Sequence, residues 1–318
     1  MRVAICICTF RRGELLRNSL AGLARLKFQK MAAPEIEIVV VDNDPSGSAK
    51  EICERSANLF PLRYVVEPAR GVVHARNRAL AEAGLVDFIA FLDDDEVPDE
   101  IWLDELLAAQ ARFDADVVSG PVLPSYAIGV AEWVKRGGLF DRPNRETGSA
   151  LEFCSTNNVL IRSGVFGRVP RFDDRFQLTG GEDTQFFLRV RRAGYSIVWS
   201  AEAIVCETVP KERARLLWIL RRGYQSGNSW VLSEMSIDAS PRTRALRLLK
   251  ASVHVYVGMI SALVSIFYGR APLTKALRKS CLGAGMLAGL AGRKFLAYQS
   301  PVSLGVASTP EFIKRSPT

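Results

Sequence analysis

The chain has 318 residues, of which 48% are hydrophobic and 24% are charged. This length accommodates one large α/β domain with an appendage, and the composition excludes a long disordered tract. Residues 1–210 carry 25 Lys and Arg against 30 Asp and Glu, whereas residues 211–318 carry 17 against 4. The basic C-terminal third predicts a phosphate-rich partner, either nucleic acid or an anionic membrane surface.

Cysteine spacing and the N-terminal residues bear on the compartment. Six cysteines stand at positions 6, 8, 53, 154, 206 and 281, without a Cys-x-x-Cys pair. Zinc sites and disulfide frameworks need clustered cysteines, so we expect buried thiols in a reducing compartment. The apolar run at residues 3–8 is too short for a signal peptide because Arg11 and Arg12 follow it. We therefore expect no signal peptide and a chain that starts in the cytoplasm.

The first hundred residues alternate apolar runs of strand length with segments of helical period. The predicted strands are residues 1–8, 35–41, 62–66 and 86–92. The predicted helices are residues 12–28, a weaker one marked by Ile52 and Leu59, and one opened by Gly71 and closed by Gly84. This alternation predicts a doubly wound, mainly parallel α/β sheet.

Regular patterns are sparser after residue 100. The predicted strands there are residues 117–119, 158–161 and 197–199, and the predicted helices are residues 102–113, 182–192 and 216–233. Residues 121–150 are rich in Pro, Gly and charged side chains and show no regular pattern.

Polar side chains directly follow three of the predicted strands. Thr9 follows the first strand, Asp42 the second, and an acidic triplet the fourth. Ligands of doubly wound sheets bind beyond the carboxyl ends of the strands. We therefore expect these side chains along one rim of the sheet, at the start of an active site.

The triplet Asp93-Asp94-Asp95 predicts a cation site. Adjacent carboxylates repel one another, and a fold that gathers them normally supplies a hard cation such as Mg²⁺ or Mn²⁺, which binds substrate phosphates as well. In strand geometry Asp93 and Asp95 point to the same side and Asp94 to the other. We predict Asp95 on the metal and Asp93 on the metal or the donor ribose. The alternative is an acidic turn exposed to solvent.

Glu182-Asp183 follows two glycines and opens a predicted helix. The helix dipole favours ionised carboxylates in the first turn. An ionised carboxylate that faces a sugar hydroxyl can act as a general base. The alternative is an ordinary acidic first turn.

Together these motifs resemble the inverting glycosyltransferases of family 2, in particular bacterial exopolysaccharide glucosyltransferase-like members. The matching motifs are Thr9-Phe10-Arg11-Arg12, Asp42, Ala75-Arg76-Asn77, Asp93-Asp94-Asp95 and Gly181-Glu182-Asp183. The resemblance covers roughly residues 1–205. It implies a GT-A catalytic domain over residues 1–210 and a divalent Mn²⁺ or Mg²⁺ cofactor. It also implies transfer from a nucleotide sugar, UDP-linked, to a glycan or polyprenyl-diphosphate-linked acceptor.

The resemblance also implies a role for each matching residue. Asp183 is the general base and Glu182 orients it or the acceptor. Thr9 and Asp42 hold the base, with Asp42 accepting from uracil N3–H. The implied donor-binding residues are Thr9, Arg11, Asp42, Arg76, Asp93, Asp94 and Asn158, and Asn157 lies beside the last of them. Arg222 is a candidate for neutralising the charge of the leaving diphosphate. The implied metal ligands are Asp95, Asp93 and Glu207.

Two positions depart from the family pattern. Arg11 stands where the family usually has Asn. Members often place a metal-binding His about twenty-five residues after Glu-Asp, but this chain has Val205-Cys206-Glu207-Thr208 there. Glu207 offers an oxygen ligand in its place.

The C-terminal region, residues 211–318, is basic and apolar, and we expect it to be helical. Residues 251–268 contain no Asp, Glu, Lys or Arg, and basic residues flank them on both sides. A buried core helix, a surface or re-entrant membrane helix and a true span are all open. The two basic flanks favour peripheral or re-entrant contact with anionic lipid on the cytoplasmic side of the inner membrane.

Two other classes of protein remain as alternatives. A nucleotidyltransferase would normally carry a Gly-rich basic loop after the first strand, and Gly13 is the only glycine there. An inactive transferase fold that binds membrane or nucleic acid would not need intact Asp93, Asp95 and Asp183. The basic segment mixes with apolar runs rather than stacking aromatics, so we expect no nucleic-acid partner.

Overall fold

A computed structural model describes residues 1–57 and 60–296, with a seven-stranded sheet at its centre. The strands in these residues are β1 (Arg2–Thr9), β2 (Glu35–Asp42), β3 (Leu62–Val66), β4 (Phe88–Asp93), β5 (Glu96–Pro98), β6 (Val117–Ser119), β7 (Val122–Tyr126), β8 (Asn158–Arg162), β9 (Ile197–Trp199) and β10 (Val205–Val209). The helices are α1 (Gly13–Leu23), α2 (Lys50–Ser56), α3 (Val72–Glu82), α4 (Trp102–Phe113), α5 (Glu132–Arg136), α6 (Glu182–Arg192), α7 (Leu216–Met235), α8 (Pro241–Ser265) and α9 (Arg270–Leu290).

The large sheet has the strand order β3-β2-β1-β4-β8-β6-β9. Its first four strands run parallel, and β8 runs antiparallel to both β4 and β6. A second sheet, β5-β10-β7, pairs β10 antiparallel with β5 and parallel with β7. The predicted α/β class with a mainly parallel sheet and a helical C-terminal region is confirmed.

Strand β1 is apolar from Val3 to Cys8 because both of its faces are covered there. Val3, Ile5 and Ile7 face a core layer with side chains of α1 and α4, including Leu16 and Trp102. The alternate residues face a second layer with α3 and α6, which includes Ala4, Cys6, Val73 and Phe186. The sheet is therefore buried on both sides, and its strand ends are left as the place for polar side chains.

Helices α7, α8 and α9 pack through glycines. A Cβ added at Gly227 of α7 would lie 2.0 Å from the carbonyl oxygen of Leu282 on α9. A Cβ at Gly285 of α9 would lie 1.9 Å from the carbonyl oxygen of Tyr224 on α7. Small residues that let helix backbones approach this closely are typical of helix packing in membranes.

The structure places several elements differently from the sequence-based prediction. Residues 121–150 contain β7 and α5, and β10 was not predicted at all. Helix α8 begins at Pro241, ten residues before the apolar run at residues 251–268, and α9 begins at Arg270, directly after that run. The start of α8 is set by Ser240, whose Oγ accepts a hydrogen bond from the backbone N–H of Thr243 at 3.3 Å. The apolar run could not indicate where the helix begins, because the residues that cap the helix are polar.

Two expectations concern particular residues. All six thiols are free, and Cys206 is exposed while the other five are buried or half-buried. Of the weak helix marked by Ile52 and Leu59, the first residue lies in α2, and Leu59 lies outside the described residues. Residues 297–318 of the predicted C-terminal region also lie outside them.

Candidate active site

The carboxyl ends of β1, β2 and β4 lie side by side in the sheet. Thr9 is in register with Asp42, and Cys8 is in register with Asp93. The hydroxyl of Thr9 donates to Asp94 Oδ2 at 2.8 Å, which ties the end of β1 to the acidic turn after β4. The structure therefore brings the predicted rim residues together.

Asp42 shapes the loop after β2. Its carboxylate is fully buried and accepts hydrogen bonds from the N–H groups of Asp44 and Ala49, at 3.0 and 2.8 Å, and from the Tyr64 hydroxyl at 2.9 Å. These hydrogen bonds hold the loop after β2 and connect it to Tyr64 of β3. The predicted contact of Asp42 with a uracil base stays a prediction.

Arg11 lies at the opening of this loop. Its Nε donates to Asp44 Oδ2 at 2.8 Å, and this hydrogen bond holds the pKa of Asp44 at about 2. Arg11 adopts a φ of 55°, a left-handed conformation that is uncommon for a residue with a side chain. The Arg11 side chain is 61% exposed while it pairs with Asp44.

The three aspartates of the triplet have different surroundings. Asp94 is buried and accepts from Thr9 and from Arg12 Nη1, the latter at 3.0 Å. Asp95 Oδ2 lies 3.5 Å from Arg12 Nη1 and 3.1 Å from Arg213 Nη2. Asp93 is the open member, with 43% of its side chain exposed.

Glu207 joins this group from β10. Arg213 Nη1 donates to Glu207 Oε1 at 2.7 Å, so one guanidinium connects Glu207 to Asp95. Arg142 Nη2 contacts the other oxygen of Glu207 at 3.3 Å. Glu207 therefore lies at the predicted site, paired with arginines.

Glu96 is a further carboxylate of the site, and it was not predicted. It is buried in β5, where Oε1 accepts from Asn157 Nδ2 at 2.9 Å and Oε2 from the N–H of Asp93 at 3.2 Å. Burial and the like charges of Asp93, Asp95 and Glu207 raise its pKa well above the ordinary value. The ionised form of Glu96 is therefore less favourable than that of an exposed glutamate.

Burial and like charges also raise the pKa of Asp93. Loss of solvation raises its pKa, as do the charges of Asp95 and Glu207, while Arg76 lowers it; the resulting pKa is about 6. Solvent screens part of the burial effect because 43% of the side chain remains exposed. Burial and neighbouring like charges therefore raise the pKa of Asp93 above that of an ordinary aspartate.

Arg76 connects the donor side of the rim to the acidic start of α6. It forms an ion pair with Glu182 and lies 3.7 Å from Asp93 Oδ1, measured from Nη2. Burial lowers the pKa of Arg76, but Glu182, Asp93 and Asp183 together raise it above the ordinary value. The guanidinium is therefore a fixed positive charge between the two predicted carboxylate motifs.

Helix α6 presents Glu182 and Asp183 in its first turn. Gly181 precedes them with a φ of 87°, a conformation that favours glycine, and its carbonyl accepts from Ser233 Oγ of α7 at 2.8 Å. Burial raises the pKa of Glu182, whose Oε2 is buried without a hydrogen-bond partner in the described residues. Asp183 is half-buried, and its Oδ1 accepts from the Thr184 N–H at 2.6 Å.

Two predicted donor-binding residues make other contacts in the structure. Asn158 is 0% exposed and uses its side chain inside the fold, accepting from Trp102 Nε1 at 2.8 Å and donating to the carbonyls of Pro121 and Ala203. The neighbouring Asn157 donates to Glu96. Arg222 is exposed on α7 and donates to Gln225 at 3.2 Å. The donor contacts of Asn158 and Arg222 stay predictions.

The donor atoms of the rim suit a hard divalent cation. The site combines carboxylate oxygens from Asp93, Asp95 and Glu207, which is the ligand chemistry of Mg²⁺ and Mn²⁺. Within residues 1–57 and 60–296, however, no group of three acidic, His or Cys side chains is arranged around one point as a metal would require. Arginines hold the carboxylates instead.

Sequence reasoning missed Arg12, Arg142 and Arg213 as members of the site. Arg12 was visible inside the first motif, directly after a strand end. Arg142 and Arg213 stand about 50 and 120 residues beyond the triplet, in connecting segments with no motif around them. Only the pairing of β10 with β5 and β7 brings their carboxylate partners to the rim.

Comparison with known sequences identifies similar proteins. A family model described as "Glycosyl transferase family 2" matches residues 4–169, and one described as "Glycosyl transferase family group 2" matches residues 88–296. The chain is 34% identical over 234 residues to the succinoglycan biosynthesis protein ExoM of Rhizobium meliloti (strain 1021), which covers 72% of this chain and 74% of that protein.

Comparison with solved structures shows the fold. The mannosyltransferase PcManGT from Pyrobaculum calidifontis, in complex with GDP-Man and Mn²⁺, matches with a TM-score of 0.64 at 16% identity, covering 92% of this chain and 88% of that one. TarS 1-349 of S. aureus in complex with UDP matches with a TM-score of 0.50 at 15% identity, covering 92% of both chains. These likenesses show the GT-A fold, as the sequence predicted.

Proposed function

The chain belongs to glycosyl transferase family 2, and from this premise we propose that it transfers a sugar from a UDP-linked donor to an acceptor hydroxyl with inversion at the anomeric carbon. The observation that carries the proposal is the junction at Arg76, which lies between Asp93 on the donor side and Glu182-Asp183 on the acceptor side. A donor carboxylate and a candidate base thus share one rim.

We assign the donor diphosphate to the group around Asp93 and Asp95, with Glu207 as a third oxygen ligand for Mn²⁺ or Mg²⁺. When bound, such a cation supplies Lewis-acid stabilisation of the charge on the leaving nucleoside diphosphate. Arg12 and Arg76 add fixed positive charge beside these carboxylates. A preorganised positive field at the leaving group lowers the barrier because the charge develops there during the reaction.

Asp183 is our candidate for the general base. Its carboxylate accepts the proton of the acceptor hydroxyl while that oxygen forms a bond to the anomeric carbon. The bond from this carbon to the diphosphate oxygen breaks, and the nucleoside diphosphate leaves with the electron pair. A single displacement of this kind inverts the anomeric configuration.

Glu182 and Arg76 support this step by position. Their ion pair fixes the first turn of α6, and Ser233 of α7 holds the preceding Gly181 from the other side. Asp183 is thereby presented from a helix terminus that is held on both flanks.

We propose a glycan or polyprenyl-diphosphate-linked acceptor in polysaccharide biosynthesis. The support comes from the name of the 34% identical relative, which refers to succinoglycan biosynthesis. A lipid-linked acceptor requires the enzyme to work at a membrane, and the C-terminal helices offer a surface for that contact.

Helix α8 supports contact with the membrane surface. Helix α8 and the short turn after it, Pro241–Tyr268, are long and apolar enough to span a bilayer, yet only 17% of the most apolar stretch is buried against the protein. This low burial favours a membrane helix over a buried core helix. Its exposed apolar side chains are Leu246, Leu248, Leu249, Val253, Tyr256, Met259, Ile260, Leu263 and Val264. Exposed Arg242, Arg244 and Lys250 near its start match anionic lipid headgroups, so we favour peripheral or re-entrant contact at the cytoplasmic face.

The test is hydrolysis of a panel of nucleotide sugars by the purified chain with Mn²⁺, with Mg²⁺ and with EDTA. We expect slow metal-dependent release of UDP from one donor, and its loss in Asp95→Ala. Glu54→Ala is the matched control, because Glu54 is an exposed carboxylate on α2, outside the acidic triplet. Full activity of Asp95→Ala would contradict the assignment of Asp95 to the metal and the donor diphosphate.

The alternatives predict different results in the same assay. An inactive transferase fold would release no nucleotide and would show no metal-dependent UDP binding by calorimetry. A nucleotidyltransferase would release pyrophosphate from a nucleoside triphosphate and a sugar phosphate. Membership of the glycosyltransferase family favours UDP release.

A further inference from the structure

Arg213 lies between two carboxylates of the rim that come from distant parts of the chain. Its Nη2 lies 3.1 Å from Asp95 Oδ2, in the turn after β4, and its Nη1 lies 2.7 Å from Glu207 Oε1, in β10. The planar guanidinium gives one nitrogen to each partner, which a lysine could not do in the same geometry. Arg213 therefore holds Asp95 and Glu207 side by side.

The position of Arg213 is set by its own segment. Its backbone N–H donates to the carbonyl of Pro210 at 3.0 Å in the turn between β10 and α7. Its guanidinium carbon lies 6.0 Å from the centre of the Trp218 ring, which stacks on Phe140. Only 17% of the Arg213 side chain is exposed. The residue is thus placed by packing and is not a loose surface arginine.

The carboxylates around Arg213 need a positive partner. Asp95 and Glu207 are both largely removed from solvent, with 8% and 23% of their side chains exposed, and Arg213 contacts both of them. A buried or half-buried carboxylate without a counter-ion destabilises a fold. In the protein without metal, Arg213 supplies that counter-ion to Asp95 and Glu207.

We propose that Arg213 is the resident counter-ion of the metal-binding carboxylates and competes with the divalent cation for Asp95 and Glu207. This inference rests on the proposed metal-dependent function. A cation on these oxygens takes over the neutralising role of the guanidinium, so each bound cation displaces Arg213 from at least one carboxylate. Arg213 thereby weakens cation binding by the bare protein and keeps the rim folded until the cation arrives.

The consequence is a measurable penalty on metal affinity. A ligand that must displace a resident partner binds with an apparent affinity reduced by the fraction of competent protein. We expect Arg213→Gln to bind Mn²⁺ on the order of tenfold more tightly than the unchanged chain, a factor equivalent to about 1.4 kcal/mol. Without metal, we expect the variant to unfold at a lower temperature because two adjacent carboxylates lose their counter-ion.

The experiment measures Mn²⁺ binding by calorimetry without nucleotide, and thermal unfolding with and without Mn²⁺. Arg142→Gln is the matched comparison. Arg142 also contacts Glu207, but at 3.3 Å, with 46% of its side chain exposed and without reaching Asp95. We expect a smaller gain in Mn²⁺ affinity than in Arg213→Gln, because Asp95 keeps its arginine. Arg213→Lys keeps the charge without the two-pronged contact, and we expect an intermediate affinity.

Equal or weaker Mn²⁺ binding by Arg213→Gln and Arg213→Lys would overturn the competition, as would the absence of Mn²⁺ binding in all variants. If Arg213→Gln does not fold, the affinity of Arg213→Lys decides between the two outcomes. Release of UDP from a donor by the unchanged chain is assayed in parallel. A failure of the Arg213 inference is then distinct from a failure of the proposed transferase function.

Discussion

At the scale of single residues, the rim is a set of carboxylates that each lie beside an arginine. Asp94 pairs with Arg12, Asp95 with Arg213, and Glu182 with Arg76. Charges removed from water are tolerated in a fold when they are paired and hydrogen-bonded. Asp183 differs because it lies at a helix terminus with a side chain that is only half-buried. This difference is what recommends it as the base.

The first prediction concerns Asp183. We expect Asp183→Asn to lower the rate of sugar transfer by about 10²–10⁴-fold, the usual contribution of a general base, while UDP affinity stays nearly unchanged. The amide keeps the shape of the side chain but cannot accept the acceptor proton. Steady-state kinetics with acceptor and calorimetry with UDP measure the two effects. Asp114→Asn, at a position whose side chain is 90% exposed, is the control, and full activity of Asp183→Asn would contradict the assignment.

The second prediction concerns pH. A cation on Asp93 needs the ionised carboxylate, and a proton competes for the same oxygens once the pH falls through the Asp93 pKa of about 6. We therefore expect Mn²⁺-dependent UDP affinity to fall as the pH is lowered from about 7.5 to about 5. In Asp93→Asn the affinity should be lower throughout and this pH dependence should be weaker. An equally steep dependence in the variant would assign the titration to another group.

At the scale of secondary-structure elements, the C-terminal helices are held by backbone approach as well as by side-chain interlocking. Gly227 on α7 and Gly285 on α9 leave no room for a Cβ without moving a partner carbonyl. Helix α7 in turn contacts the start of α6 through the hydrogen bond from Ser233 to Gly181. The C-terminal helices therefore contact the turn that presents Asp183 directly, through this hydrogen bond.

The third prediction tests this packing. We expect Gly227→Ala to destabilise the fold by roughly 1–3 kcal/mol because the added methyl forces α7 away from α9. Thermal unfolding of the full chain measures the effect. Gly164→Ala is the matched control, since a Cβ there meets nothing within 4 Å. Equal unfolding temperatures for the two variants would show that α7 and α9 do not pack this closely.

At the scale of the whole molecule, charge and apolar surface are segregated. The segment from residue 211 onward carries 17 basic and 4 acidic residues, whereas the part before it is net acidic. The exposed apolar residues of α8 lie in the same basic segment. An anionic membrane would attract this region and repel the acidic catalytic part, which orients the enzyme on the surface.

The fourth prediction follows from this segregation. We expect the chain to sediment with vesicles that contain anionic lipid and much less with zwitterionic vesicles, and we expect added salt to weaken the binding. Ile260→Glu should reduce binding because it places a charge on the exposed apolar face of α8. Leu85→Glu is the control, since Leu85 is 86% exposed but lies in the catalytic part. Equal losses in both variants would argue against a specific role of α8.

Most of the first hundred residues could be predicted from the sequence. Strands such as β1 and β4 are apolar on both faces because they lie inside a parallel sheet, and helices have their own period. Polar residues at the strand ends stand out against this background. Thr9 and Asp93 could be found for that reason, and the start of α6 from the two glycines before it, without any knowledge of tertiary contacts.

Other features needed the tertiary structure. The sequence by itself determined the fold class, the acidic triplet and the Glu182-Asp183 turn, because strand period, strand ends and helix starts are local properties. Tertiary structure alone decided that Asn158 is buried, that Glu96 belongs to the site, and that Arg213 connects Asp95 to Glu207. These are contacts between segments about 60 to 120 residues apart. No local pattern encodes them, since the pairing of β8 with β4 and of β10 with β5 is what brings these segments together.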